Sequence, residues 1–217
     1  MPVVRKIYIG NHGLLGVWKI EESVEELLSM IHFSNGDSET FNRFKNKSRQ
    51  CHWLSYRLTI RHLLGNPKDL EFYYDEFGKI HFKNHDYSLS VTHSGDYSAV
   101  ILNINYCVGI DIERVSERIN NISLKFLSVE ELTKVDEDNH RLLTLLWSAK
   151  ETLYKLFGKG DLVFDKNIII DPPESLEDEN GILKGRIIKD DFSKEYILKY
   201  FYIEDYVLVY CVDDTLT

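Results

Sequence analysis

An α+β fold is predicted for this chain, built as a pseudo-two-fold pair of similar subdomains that each pack a long helix on a small antiparallel sheet. Three features predict it. Each half runs in the same order, a long helical pattern followed by short alternating strands. The halves share local wording: Leu63-Leu64-Gly65 followed by Asp69-Leu70 echoes Leu156-Phe157-Gly158 followed by Asp161-Leu162. No low-complexity linker separates them, and the seam falls near Asn103–Tyr106. The expected subdomains are residues 1–104 and 105–217, with a ligand cleft between them.

Residues 43–64 read as the first long helix, with Phe44, Cys51, Leu54, Leu58 and Leu63 near helical spacing and Gly65-Asn66-Pro67 stopping it. Short strands are expected around Glu71–Tyr74, Lys79–Phe82, Tyr87–Val91 and Ser98–Asn103 as an antiparallel meander, with Phe77-Gly78 and Ser94-Gly95 at turns. In the second half, a strand over Cys107–Ile112 leads through a helical stretch to a long helix over His140–Phe157. Strands then follow near Lys166–Ile170, Ile182–Lys189, Glu195–Ile203 and Tyr206–Val212. The acidic, polar segment Asp171–Gly181 reads as a surface loop.

A chain of 217 residues with 43% hydrophobic and 12% aromatic content and only four prolines can bury a sizeable core. The start, Met1-Pro2-Val3-Val4-Arg5-Lys6, lacks the apolar core of a signal peptide, and no run approaches membrane-spanning length. Cys51, Cys107 and Cys211 form no C-x-x-C pattern and read as buried, reduced thiols of a cytoplasmic protein. A net charge of −9 argues against general nucleic-acid binding. Against that balance, Phe41–Lys68 holds no Asp or Glu, yet carries Arg43, Lys45, Lys47, Arg49, Arg57, Arg61 and Lys68. Such a stretch suits an anionic ligand, the alternative being a basic surface with no partner.

Two motifs carry the chemistry. Val108-Gly109-Ile110-Asp111-Ile112-Glu113 ends a strand, so Asp111 and Glu113 share one side while Ile110 and Ile112 fill the other. In Trp147-Ser148-Ala149-Lys150-Glu151-Thr152-Leu153-Tyr154-Lys155, the residues Trp147, Lys150, Glu151 and Lys155 form one helical stripe. If the stripe faces the strand end, three carboxylates for a hard cation meet two ammonium groups for phosphates. Singly, each half also reads as an ordinary solvated surface.

The pair closely resembles the signature of 4′-phosphopantetheinyl transferases, a G-x-D-x-E strand followed by W-S-x-K-E-x-x-x-K. Leu89-Ser90-Val91-Thr92-His93-Ser94-Gly95 resembles that family's strand-turn segment, Asp75-Glu76-Phe77-Gly78-Lys79 its glycine-lysine turn, and Arg49–Leu64 its first long helix, with Trp53 and Arg57 at matching places. The likeness runs from about residue 40 to 165, in the size and motif order of the surfactin-synthetase-activating subclass. The departures are Thr92 for a usual serine, Ser88 or Ser90 for a frequent asparagine, and few basic residues in the first forty.

The resemblance implies an enzyme that moves the 4′-phosphopantetheine group of coenzyme A to a serine of an apo acyl or peptidyl carrier protein, releasing adenosine 3′,5′-bisphosphate. It implies Mg2+ on Asp111, Glu113 and Glu151, and Lys150 and Lys155 beside the pyrophosphate. Glu151, or a water held by Glu113, would accept the proton. Arg49, Arg57, Lys79, Thr92 and His93 would hold the nucleotide end, near the 3′-phosphate. A monomer is expected, without nucleic-acid or membrane partners. Arg114 and Arg118, four apart and on one helix face if the chain turns helical there, form with Lys125 the expected docking patch for an acidic carrier. The rival readings are a metal-dependent phosphate-ester hydrolase and a non-catalytic coenzyme A or carrier-protein binder.

Overall fold

The structure, a computed structural model, describes residues 3–214 except 35, 68, 137 and 174–177. It is a mixed α+β chain that divides into two compact units, Met1–Asn105 and Tyr106–Thr217.

In the first unit the hairpin β1 (Val3–Ile9) and β2 (Gly13–Lys19) precedes three helices, α1 (Val24–Met30), α2 (Asp37–Asn42) and α3 (Lys47–Leu63). Strands β3 (Phe72–Tyr74), β4 (Ile80–Phe82), β5 (Ser88–Ser94) and β6 (Tyr97–Asn103) follow. The expected meander is corrected here: β3 and β4 form a separate two-stranded ribbon, while β5 and β6 join the amino-terminal hairpin in an antiparallel sheet of order β1-β2-β6-β5. β6 is buried along its whole length because it is central and covered by α3, whose Trp53, Leu54 and Ile60 enter the core with Leu89, Val100 and Leu102. Asn46 caps α3 by accepting from the Arg49 amide, which leaves Arg43 and Lys45 ahead of the helix. Beyond Leu64, Gly65 and Asn66 take positive φ values of 78° and 59°, which ends the helix.

In the second unit β7 (Val108–Arg114) leads into a 3-10 helix (Glu117–Ile122) and short helices α4 (Ser123–Phe126) and α5 (Val129–Leu132). The long α6 (His140–Phe157) and short α7 (Phe164–Asn167) follow, then β8 (Ile168–Asp171), β9 (Asn180–Lys189), β10 (Phe192–Ile203) and β11 (Tyr206–Val212). The sheet is antiparallel in the order β7-β11-β10-β9-β8. Its core face receives Leu145, Leu146, Ala149 and Leu153 of α6. Asn139 accepts from the Leu142 amide at the start of α6, and Gly158 closes it at φ 66°. The acidic loop expected at 171–181 lies partly in β8 and β9, and its residues 174–177 fall outside the described set, as do Met1, Pro2 and Lys68. Of the thiols expected to be buried, Cys211 is buried, Cys51 is half-buried and Cys107 is exposed. No helix among the described residues is long and apolar enough to cross a membrane.

Candidate active site

The strand and helix motifs meet in the second unit because β7 carries a glycine where α6 crosses it. A Cβ added to Gly109 would lie 2.2 Å from the Thr152 carbonyl oxygen and 2.9 Å from Leu156 Cβ, so no side chain fits at this approach. One turn of contact is locked by the Thr152 hydroxyl, which donates to the Val209 carbonyl of β11 at 3.1 Å. Two residues beyond Gly109, Asp111 is 3% exposed, opposite Val209 in the ladder. There Lys155 Nζ donates to Asp111 Oδ1 at 2.6 Å.

Glu113 and Glu151 complete the carboxylate group. Glu113 Oε1 accepts from Trp147 Nε1 at 3.4 Å, a long contact. Trp147 is otherwise packing, with Phe126 and Phe164 at ring distances of 5.2 and 5.5 Å. Burial pushes the Glu151 carboxyl up to about 7; the negative charge of Asp111 and, less strongly, Glu113 adds to the rise, while Lys155 opposes it. The structure thus gathers Asp111, Glu113, Glu151 and Lys155. Among the described residues no three His, Cys, Asp or Glu side chains are arranged to hold a metal ion. The donor set still fits one chemically: Asp111 and Glu113 stand near enough to Glu151 to oppose its ionisation, and a dication would relieve that repulsion.

Lys150 lies apart from this group. Its side chain is 0% exposed and points to the other side of α6. Its ammonium donates to Glu131 Oε2 at 2.7 Å and to the Phe164 and Ile168 carbonyls at 3.1 and 2.5 Å. Three donors meet three acceptors, so nothing remains for a phosphate. Burial depresses its basicity, and Glu131 works against that. Glu131, which no sequence signal singled out, also accepts from the Ser128 and Ile170 amides and so ties α5 and β8 to α6.

In the first unit Arg57 is likewise buried. It is 4% exposed, 3.5 Å from Asp37, with its guanidinium 3.7 Å from the Phe72 ring centroid and 4.8 Å from that of Trp53. Asp37 also accepts from the amide and hydroxyl of Ser34, so Arg57 anchors the α2 segment to α3. Arg61 does similar work, donating to the Pro67 and His32 carbonyls. Part of the basic stretch is therefore internal structure. Arg49 is exposed over the Phe44 ring.

Lys79 is half-buried in the β3–β4 turn, where Asp75 Oδ1 accepts from the Phe77 and Lys79 amides and Gly78 sits at φ 80°. Asp75 Oδ2 lies 2.8 Å from His81 Nε2. Thr92, 5% exposed, and half-buried His93 precede Ser94, the last residue of β5. His93 stacks on His52 of α3 with centroids 4.3 Å apart and planes 6° from parallel.

The expected docking residues do not share a helix face. Arg114 ends β7 and pairs with Asp205 at 2.5 Å, whereas Arg118 is in the 3-10 helix. Both nevertheless line one cavity of about 410 Å³ with Glu113, Ile119, Ile122 and Trp147. A second, of about 340 Å³, is lined by Ile122, Lys125, Phe126, Trp147 and Phe164.

Comparison with known proteins follows the same segment. The chain is 28% identical over 150 residues to a Synechocystis protein provisionally assigned as a 4′-phosphopantetheinyl transferase, covering 63% of this chain and 59% of that protein. It is 29% identical over 151 residues to the 4′-phosphopantetheinyl transferase Gsp of Aneurinibacillus migulanus, covering 65% of this chain and 62% of the relative. The chain thus aligns with about three fifths of the length of each. Residues 107–211, from the residue before β7 into β11, match the sequence profile of the 4′-phosphopantetheinyl transferase superfamily.

Proposed function

We propose that this protein transfers the 4′-phosphopantetheine group of coenzyme A to a serine hydroxyl of an apo carrier protein and releases adenosine 3′,5′-bisphosphate. On this reading it is a monomeric, cytoplasmic holo-[carrier protein] synthase of the surfactin-synthetase-activating kind, its two units duplicates of one plan. One observation carries the reading: Lys155 and Asp111 touch, with Glu151 and Glu113 alongside, within the segment that matches the superfamily profile.

The reaction breaks a pyrophosphate bond and forms a phosphodiester, so its main demands are charge neutralisation and alignment. Asp111, Glu113 and Glu151 would hold Mg2+, which supplies positive charge to the phosphate oxygens. Lys155 contributes a second positive charge to the pyrophosphate. Glu151, or a water held by Glu113, takes the proton from the serine. Arg49, Lys79, Thr92 and His93 bind the nucleotide end, and on this reading the buried Lys150 and Arg57 serve the packing of their own units.

The carrier docks by the two cavities that share Ile122 and Trp147, one lined also by Glu113 and Arg118 and the other by Phe126 and Lys125. Arg118 and Lys125 offer local attraction to an acidic carrier despite this chain's net charge of −9. The test is incubation of the protein with Mg2+, coenzyme A and candidate apo carriers, following nucleotide release and carrier mass together. One bisphosphate released per carrier modified supports transfer, whereas release without modification identifies a hydrolase.

A further inference from the structure

His52 lies on α3, in the stretch without acidic residues, and has no part in the assignments above. Two contacts fix it. Its Nε2 is 2.7 Å from the Gly95 carbonyl in the β5–β6 turn, and its ring lies flat against His93. A carbonyl oxygen only accepts, so Nε2 carries the proton, which fixes the tautomer of a neutral His52 ring. One helical turn on, the Ser55 hydroxyl donates to Ser98 Oγ at 2.8 Å, and Ser98 faces His93 across the β5–β6 ladder. α3 is thereby held against β5 and β6 at the level of His93.

We propose that His52 is a positioning residue for His93, holding that imidazole in one plane and so setting the preference for a 3′-phosphate on the coenzyme. The inference rests on the reading of His93 as a ligand of that phosphate. The His52 ring covers one face of the half-buried His93 imidazole and opposes its tilting out of that plane. A partner on its face restrains that tilting, while the nitrogens act in the ring plane. The turn gains as well: the His52 N–H engages Gly95, which stands at φ 52° directly after Ser94.

The test compares coenzyme A with 3′-dephospho-coenzyme A in steady-state transfer by wild type, His52→Ala, His52→Phe and His52→Gln. Phe keeps a flat ring against His93 without the donor to Gly95, and Gln keeps a donor without the ring. His52→Ala is expected to lower the preference for coenzyme A about tenfold, almost all in KM, with kcat within about twofold of wild type. Phe should restore most of that preference and Gln should not. In the wild-type protein, titration with adenosine 3′,5′-bisphosphate should move the imidazole NMR signals of His52 and His93 together, an arm that needs no variant to fold. An unchanged preference in His52→Ala, equal losses with both substrates, restoration by Gln alone, or a His93 shift without a His52 shift would overturn the proposal. If wild type itself does not distinguish the two substrates, the phosphate role of His93 falls and the inference with it. If it does and His52→Ala retains the distinction, only the inference falls.

Discussion

Lys155 Nζ lies 2.6 Å from Asp111 Oδ1, joining the last turn of α6 to β7 through a carboxylate that is only 4% exposed. A cation is already held at the carboxylate assigned to the metal. On the proposed function, Asp111→Ala should therefore lower kcat by at least about a hundredfold, because a metal held there would lose a ligand and Lys155 one of its contacts. Transfer kinetics at saturating Mg2+ measure this, and near-normal turnover would remove Asp111 from the site.

Glu151 gives a pH dependence with a definite sign. Its folded-state pKa of about 7 stands above the ordinary value of 4.5. The stability associated with this raised value is fully present below about 4.5 and is lost as pH rises through about 7. In metal-free protein with EDTA, Glu151→Gln should thus be more stable than wild type at pH 8 by about 1–2 kcal/mol, discounted for partial exposure. That difference should shrink towards pH 5. Urea unfolding at the two pH values measures it, and a pH-independent difference would refute the charge crowding.

Gly109→Ala tests the contact that assembles the site. Its new Cβ would meet the Thr152 backbone oxygen at 2.2 Å, and backbone cannot move aside as a side-chain tip can. The variant should lose about 2–4 kcal/mol of stability and most of its transfer activity together. Thermal unfolding and turnover, measured on one preparation, should fall in parallel.

Lys150 and Glu131 form a buried pair, so removing one charge strands the other. Lys150→Met should cost about 3–5 kcal/mol, and Lys150→Met with Glu131→Gln should cost less than the single change. If Lys150 is structural, the double variant retains coenzyme A affinity wherever it remains folded. A selective loss of affinity in folded double variant would return Lys150 to the phosphate site.

Arg118 is the cleaner probe of docking, since Arg114 is engaged by Asp205. Arg118→Glu should raise the carrier KM most at low salt and leave coenzyme A binding unchanged. Carrier saturation curves at two ionic strengths, with calorimetry for coenzyme A, separate the two effects. An unaltered carrier KM at low salt would move docking elsewhere.

The sequence and the fold agree best where periodicity is long or sharply bounded. Helix α6 runs from His140 to Phe157 and β11 from Tyr206 to Val212, as their patterns predict. The β1–β2 hairpin went unread, although Val3, Ile7 and Ile9 stand before Gly10 and Leu15 and Val17 after it; Arg5, Lys6 and three glycines blur the alternation. The stripe of α6 brings Glu151 and Lys155 to Asp111, whereas Lys150 turns to Glu131. Helical spacing puts Lys150 at one edge, and only the position of Glu131 decides which way it turns. Arg57 illustrates the same limit, because a count of cations cannot reveal that Asp37 and three aromatic rings enclose one of them. The pairing of His52 with His93 arises from the packing of α3 on β5 and has no local signature.

The central claim is best tested by intact-mass spectrometry of an apo carrier after incubation with coenzyme A, Mg2+ and either wild-type protein or Asp111→Ala. The account predicts one phosphopantetheine mass added by wild type, none by Asp111→Ala, and none when the acceptor serine is replaced by alanine. Consumption of coenzyme A with no change in carrier mass across a panel of apo carriers would contradict it.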